Sequence, residues 1–149
     1  PAAEVTDANP YKEFSPLGTY AYHPDQKTAY GDLWRWGNHA GAGYVVLQHM
    51  RWYSIEQYVK LNTVSGPLDA LQNRRGERDA VFRVWVDGVP FLEKTGFRLR
   101  HTPLIKIDDV WLNWYHGGTS PPAPGATHHY RMSNVVVAKK YIGPLARTP

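Results

Sequence analysis

The 149-residue chain contains no cysteine, which excludes disulfides and thiolate metal sites. A chain without thiols suits either redox compartment, so this absence does not fix a location. No apolar run approaches the roughly 20 residues of a membrane span. Helical periodicity of normal length is missing too, and so are internal repeats. The one biased tract is a proline-rich surface loop, TSPPAPGAT. Phosphate-cradling loops, the dinucleotide fingerprint, the GxSxG elbow and the HExxH run are all absent. No signal peptide is visible at Pro1, so the expectation is a removed leader or a longer parent product.

Acidic residues are in the minority. Thirteen Asp and Glu face seventeen Lys and Arg, giving a net charge of +4. That balance favours an acidic partner, either nucleic acid or an anionic polysaccharide. A nucleic-acid binder concentrates its cations, whereas only Arg74-Arg75 and Lys139-Lys140 are adjacent here. A nucleic-acid partner is therefore not expected. The length and a hydrophobic share of 42% fit one globular domain with a sizeable core.

What is present is strand signal. Residues 1–18 read as an irregular segment punctuated by Pro10, Pro16 and Gly18, and the domain proper as 19–149. GTYAYH and YGDLWRWG read as short strands, and GYVVLQHMRWYS is apolar and β-branched. SIEQYVKLN alternates, with Ile55, Gln57, Val59 and Leu61 on one face and Glu56, Tyr58, Lys60 and Asn62 on the other. TVSGPLDALQNRRGERD is polar and loop-like, with a helical turn expected at Leu68 to Leu71. AVFRVWVDGVPFLEK is a hairpin, since Asp87-Gly88 is a type I′ turn signal between β-forming runs. LIKIDDVWLNWYHGG and HHYRMSNVVVAKKYIG supply two further alternating strands. The expected class is all-β, an antiparallel sandwich.

TYAYHPDQ, residues 19–26, raises the functional question. In a strand, Tyr20 and Tyr22 share one face. The same stretch begins a series of motifs: YAYHPDQ with YGD, RWYSIEQYVKLNT, FRVWVDG, WLNWYHGG and MSNVVVAKKYIGP. In this order the chain resembles polysaccharide lyase family 14, the alginate and glucuronan lyases, over most of residues 19–144. The resemblance implies a concanavalin-type β-jelly roll sandwich of two antiparallel sheets, with a concave glycan groove. It implies β-elimination at a uronic acid, with no cofactor and no metal, in a secreted or cell-surface protein. An acidic polysaccharide is the implied partner.

That chemistry needs the uronate carboxylate neutralised, the C5 proton removed and the leaving O4 protonated. A tyrosine can move both protons if neighbouring cations lower its pKa. The family's YxY pair belongs to the catalytic centre, and Tyr20 and Tyr22 match it. His23, Gln57, Lys60, Asn62, Tyr115 and His116 are the implied substrate-binding positions. The family also carries upstream strands, a lysine and a Ser-x-Arg motif. In 1–18 Lys12 is the only basic residue and no Ser-x-Arg occurs. The chain is therefore expected to lack the N-terminal strands of such a sandwich, with a partner chain or self-association covering the open edges.

Each candidate also has a plainer role. The two tyrosines can be a packing pair, and His23 a hydrogen-bonded loop residue beside Pro24. Trp34, Trp36, Trp85, Trp111 and Trp114 can stack on sugar or fill a core. Gly117 and Gly118 allow close approach to a ligand or simply end a strand. His128 and His129 are adjacent, with no metal-ligand spacing relative to His116 or Asp109, and Asp87 belongs to its turn. The alternative function is a non-catalytic glycan-binding or structural β-sandwich.

Overall fold

A computed structural model describes residues 16–37, 43–48, 50–67, 75–113 and 129–144. Every regular element among them is a strand, so the described fold is all-β. No helix among them is long and apolar enough to cross a membrane. The chain divides into two compact units, Pro1–Lys106 with Tyr141–Pro149, and Ile107–Lys140.

The first unit contains all seven strands found among the described residues. β1 (Gly18–Ala21) pairs antiparallel with β2 (Asp32–Arg35), setting Thr19 opposite Trp34 and Tyr20 opposite Leu33. β3 (Ile55–Lys60), β6 (Ala80–Val86) and β7 (Val89–Phe97) form an antiparallel sheet in the order β3-β6-β7. Two short strands, β4 (Val64–Ser65) and β5 (Arg75–Gly76), pair with each other.

The β6–β7 hairpin follows from local chemistry. Ala80, Phe82, Val84 and Val86 are buried, and the residues between them half-buried, which is the period-two signature of a strand on a core. Asp87 and Gly88 both take positive φ, 51° and 80°, the backbone a two-residue I′ turn demands. The Asp87 side chain then reaches across the sheet. Its Oδ1 accepts from Ser54 N at 2.9 Å and its Oδ2 from Arg51 Nη2 at 2.7 Å. The turn is thereby fastened to the start of β3.

The core lies between the β1–β2 layer and the inner face of β6 and β7. Trp34 packs at 5.1 Å on Phe97 and 5.6 Å on Phe82. Trp36, Val45, Val84, Val86 and Leu92 complete it. Such aromatic contacts add roughly 0.5–1.5 kcal/mol each beyond the area buried. Val45 enters through backbone bonds from its own N–H to Trp36 O and from Leu17 N to its O, both 2.9 Å. The strand expected over GYVVLQHMRWYS is reduced to this contact and the bridge between Gly37 and Tyr44. The positive φ of Met50, 58°, breaks the extended run.

Cover over the three-stranded sheet is partial. Register sets Ile55, Gln57 and Val59 beside Val86, Val84 and Phe82, on the inner face. Yet Ile55 is 45% and Val59 38% exposed, because the β1–β2 layer packs on β6 and β7.

The expected strands over 104–118 and 128–143 are not observed among the described residues. A strand exists only as part of a ladder, and these described residues pair with no other strand. In the second unit Val110, Trp111, Leu112, Val135, Val136 and Val137 are consequently exposed.

Candidate functional site

Strand alternation explains TYAYHPDQ. Thr19, Ala21 and His23 point inward. Thr19 Oγ1 accepts from Trp36 Nε1 at 2.9 Å, Ala21 packs on the core, and His23 is buried. Tyr20 and Tyr22 point outward and are 49% and 63% exposed. Their rings meet edge to face, with centroids 5.3 Å apart and planes at 88°.

The Tyr20 ring lies against Gly31. A Cβ there would come within 3.1 Å of Tyr20 Cε1 and 2.7 Å of Ala21 O, so glycine is what allows the close approach. The hydrogen bond between the two phenols, in the first place, raises the Tyr20 pKa. Desolvation and the charge of Tyr22 add to this, while the Gly31 backbone opposes it. The groups acting on Tyr20 are Tyr22, Gly31 and Tyr30, none of them a cation. The cation-lowered phenol expected from the elimination chemistry is therefore not found at Tyr20.

His23 is corrected from a substrate residue to a core residue. Only 9% of it is exposed, and its ring sits 5.5 Å from Trp34 and 5.7 Å from Phe97. Nε2 is 2.9 Å from Asp32 Oδ2, and since a carboxylate only accepts, Nε2 carries the proton. Nδ1 is buried with no hydrogen-bond partner among the described residues. The turn that follows is closed by Gln26 N donating to His23 O at 3.1 Å.

Asp25, inside that turn, is the anchor of the region. Its carboxylate accepts from Arg98 N at 2.7 Å, Arg98 Nε at 3.0 Å, Arg98 Nη2, and Arg78 Nη1 at 3.0 Å. Hydrogen bonds from the Arg98 side chain are the main cause that lowers its pKa; burial works against them.

Asn62 is likewise corrected. It has no exposed surface, and its amide is spent on backbone. Oδ1 accepts from Leu99 N at 2.8 Å and Arg100 N at 2.9 Å, while Nδ2 donates to Arg100 O at 3.0 Å and Thr63 O at 3.1 Å. Asn62 is a clamp between the end of β3 and the 98–100 segment. Lys60 is exposed and donates to Asp79 Oδ2 at 3.2 Å. Hydrogen bonds from Thr63 N and then Thr63 Oγ1 are the main causes lowering Asp79 to about 2.

Gln57 is exposed on the inner side of β3, whereas Tyr20 and Tyr22 look outward from the opposite layer. The structure therefore does not gather Gln57 and Lys60 around the tyrosine pair. Trp34 and Trp36 are core; Trp85 packs on Tyr141 at 4.7 Å; Trp111 is 83% exposed in the second unit. Lys12, Leu68 to Leu71, Trp114, Tyr115, His116, Gly117, Gly118 and His128 lie outside the described residues. No cluster of three or more His, Asp or Glu among the described residues could hold a metal ion.

One residue was missed in the sequence. Register sets Arg35 opposite Gly18 and Leu33 opposite Tyr20, so Arg35 shares the outward face of the tyrosines. It stands diagonal to Tyr20, about 7–8 Å away along the backbone. Gly18 leaves the position across from it without a side chain. The signal was present in DLWRW: once both tryptophans point inward, Leu33 and Arg35 must point out.

Compared with protein-family models, curated proteins and solved structures, the chain matches none of them.

Proposed function

We propose that this chain is a polysaccharide-lyase-like domain of jelly-roll type, acting outside the cell on acidic, uronate-bearing polysaccharide by β-elimination. The observation that carries this reading is the outward face of the β1–β2 hairpin. Two phenols in edge-to-face contact stand exposed there, in register with Arg35, a cation that has no ion-pair partner among the described residues. The motif resemblance and the net charge of +4 point the same way.

The chemistry maps onto these groups. Arg35 neutralises the C6 carboxylate, so charge can build up beside C5. Tyr22 first gives its phenol proton to solvent and then, as the phenolate, takes the C5 proton. The C5–H electron pair forms the C4=C5 double bond as the C4–O4 bond breaks. Tyr20, held protonated, delivers its proton to O4. Proton transfer from Tyr22 to its neighbour Tyr20 then restores the phenolate at Tyr22 and the phenol at Tyr20.

A second reading, a non-catalytic glycan-binding module, is favoured by one observation: no cation among the described residues acts on Tyr20. One experiment separates the two. The protein is incubated with alginate, glucuronan and pectate, and ultraviolet absorbance of the unsaturated uronyl product is followed. The lyase reading expects a rise that is lost in Tyr22→Phe and falls at least tenfold in Arg35→Ala. Glycan binding without any rise establishes the binding module. Neither binding nor product on any of the three refutes both.

A further inference from the structure

β3 is an edge strand, since the order β3-β6-β7 leaves one of its sides open among the described residues. The bond from Asp87 N to Ser54 O fixes which residues face that side. Residues 54 and 87 belong to the same register as Glu56 with Trp85, Tyr58 with Arg83 and Lys60 with Val81. In an antiparallel ladder, bonded pairs alternate with non-bonded ones. Glu56, Tyr58 and Lys60 therefore bond to β6. Ile55, Gln57 and Val59 present their N–H and C=O groups to the open side.

An open edge of this kind is a template for another strand. The sequence IEQYVK specifies which strand fits. Two copies of β3 run antiparallel about a two-fold axis at Tyr58 set Glu56 opposite Lys60 of the second copy, and Lys60 opposite its Glu56. Gln57 then exchanges backbone bonds with Val59 of the second copy, and both residues already turn their N–H and C=O groups to the open side. Ile55 lies opposite Leu61 on the inner face, where Ile55 is 45% and Val59 38% exposed. Sliding the strands by two residues in either direction keeps the backbone bonds but loses both ion pairs. Charge complementarity thus selects one register.

From this self-complementarity we infer that the partner of the β3 edge is a second copy of the same chain. The two sheets join into a continuous six-stranded sheet, β7-β6-β3-β3-β6-β7, through an isologous two-fold contact. Side-chain commitments at the edge are compatible with it. Glu56 accepts from Ile142 N and Gly143 N, both at 2.9 Å, which leaves lone pairs on its two oxygens. Lys60 donates to both Asp79 O and Asp79 Oδ2, which leaves the third proton of its ammonium.

Sedimentation equilibrium on the whole chain tests this. The wild type forms dimers reversibly. Glu56→Lys and Lys60→Glu each weaken association about tenfold or more, because two opposite-charge pairs become two like-charge pairs. Mixing the two variants restores it, since each cross-pair is again Glu with Lys. Val59→Pro removes an outward N–H without touching the ladder to β6 and also abolishes the dimer. Circular dichroism checks that each variant retains its sheet. A wild type that stays monomeric up to millimolar concentration overturns the inference. So does association unaffected by either charge reversal, which would place the contact elsewhere. Failure of the mixed variants to recover overturns it as well.

Discussion

Replacing Asp25 by Asn changes one atom and leaves shape intact, yet it should rank among the most damaging polar substitutions in the described chain. The carboxylate is 7% exposed and takes four hydrogen bonds, three from Arg98 and one from Arg78. An asparagine retains one accepting oxygen. Its amide group would then face either Arg98 N–H or the guanidinium, donor against donor. Breaking a fully buried ion pair costs about 3–5 kcal/mol. Arg98 is 27% and Arg78 60% exposed, so water recovers part of that and Arg78 contributes little. The expected loss is about 2–3 kcal/mol, read as a fall of roughly 1–2 M in the urea midpoint. Arg83→Gln is the control. It breaks only the exposed pair to Glu93 and should cost under about 1 kcal/mol. The acid dependence is a second check. Asp25 has a folded pKa below its ordinary 3.8, so its contribution is fully present above that value. It is lost as pH falls through the lowered pKa, and there the wild type and Asp25→Asn should converge. Equal midpoints for Asp25→Asn and Arg83→Gln at pH 7 would refute the anchor argument.

The other predictions rest on similar geometry. Asn62→Ala strips the 98–100 segment of its buried partner and leaves two N–H groups unanswered, so thermal melts should show a loss of about 2–4 kcal/mol. Asp79 is lowered to about 2, so it supports the fold above pH 3.8 and ceases to do so as pH approaches 2. Asp79→Asn should remove that part of the acid sensitivity in melts recorded between those two values. Gly76→Ala would place a Cβ 2.5 Å from Arg100 O and 2.8 Å from Asn62 Nδ2. It should destabilise the chain by about 1–3 kcal/mol in the same melts, as overpacking does.

The legible features were the local ones. VWVDGVPF carries its turn residues and its alternation within a few positions, and the structure follows it. The outward pairing of Tyr20 and Tyr22 needs only the strand period. What alternation cannot give is the buried side. In SIEQYVKLN the two faces are plain, but which one meets a core depends on where the β1–β2 layer packs. Asn62 reads as a polar strand end, and its burial depends on a backbone segment more than thirty residues away. His23 sits beside a turn proline, which suggests a loop. It is buried because the strand period runs on past Ala21 and Asp32 lies within reach. The alternating stretches 104–118 and 128–143 carry strand pattern, but pattern alone forms no ladder. The candidate site itself was half legible. The tyrosines stood out, while Arg35 emerged only once the hairpin register was known.

The alternation of Thr19 to His23 also governs which changes this stretch can absorb over time. Even positions answer to solvent and odd positions to the core, so Tyr20 and Tyr22 can be exchanged freely without loosening the packing around Trp34 and Trp36. Insertion or deletion of a single residue is another matter. It would turn a phenol into the place of Ala21 or His23 and carry the Thr19 hydroxyl away from Trp36. For the fold, the stretch is thus open to substitution on its outward face and closed to a one-residue change of length.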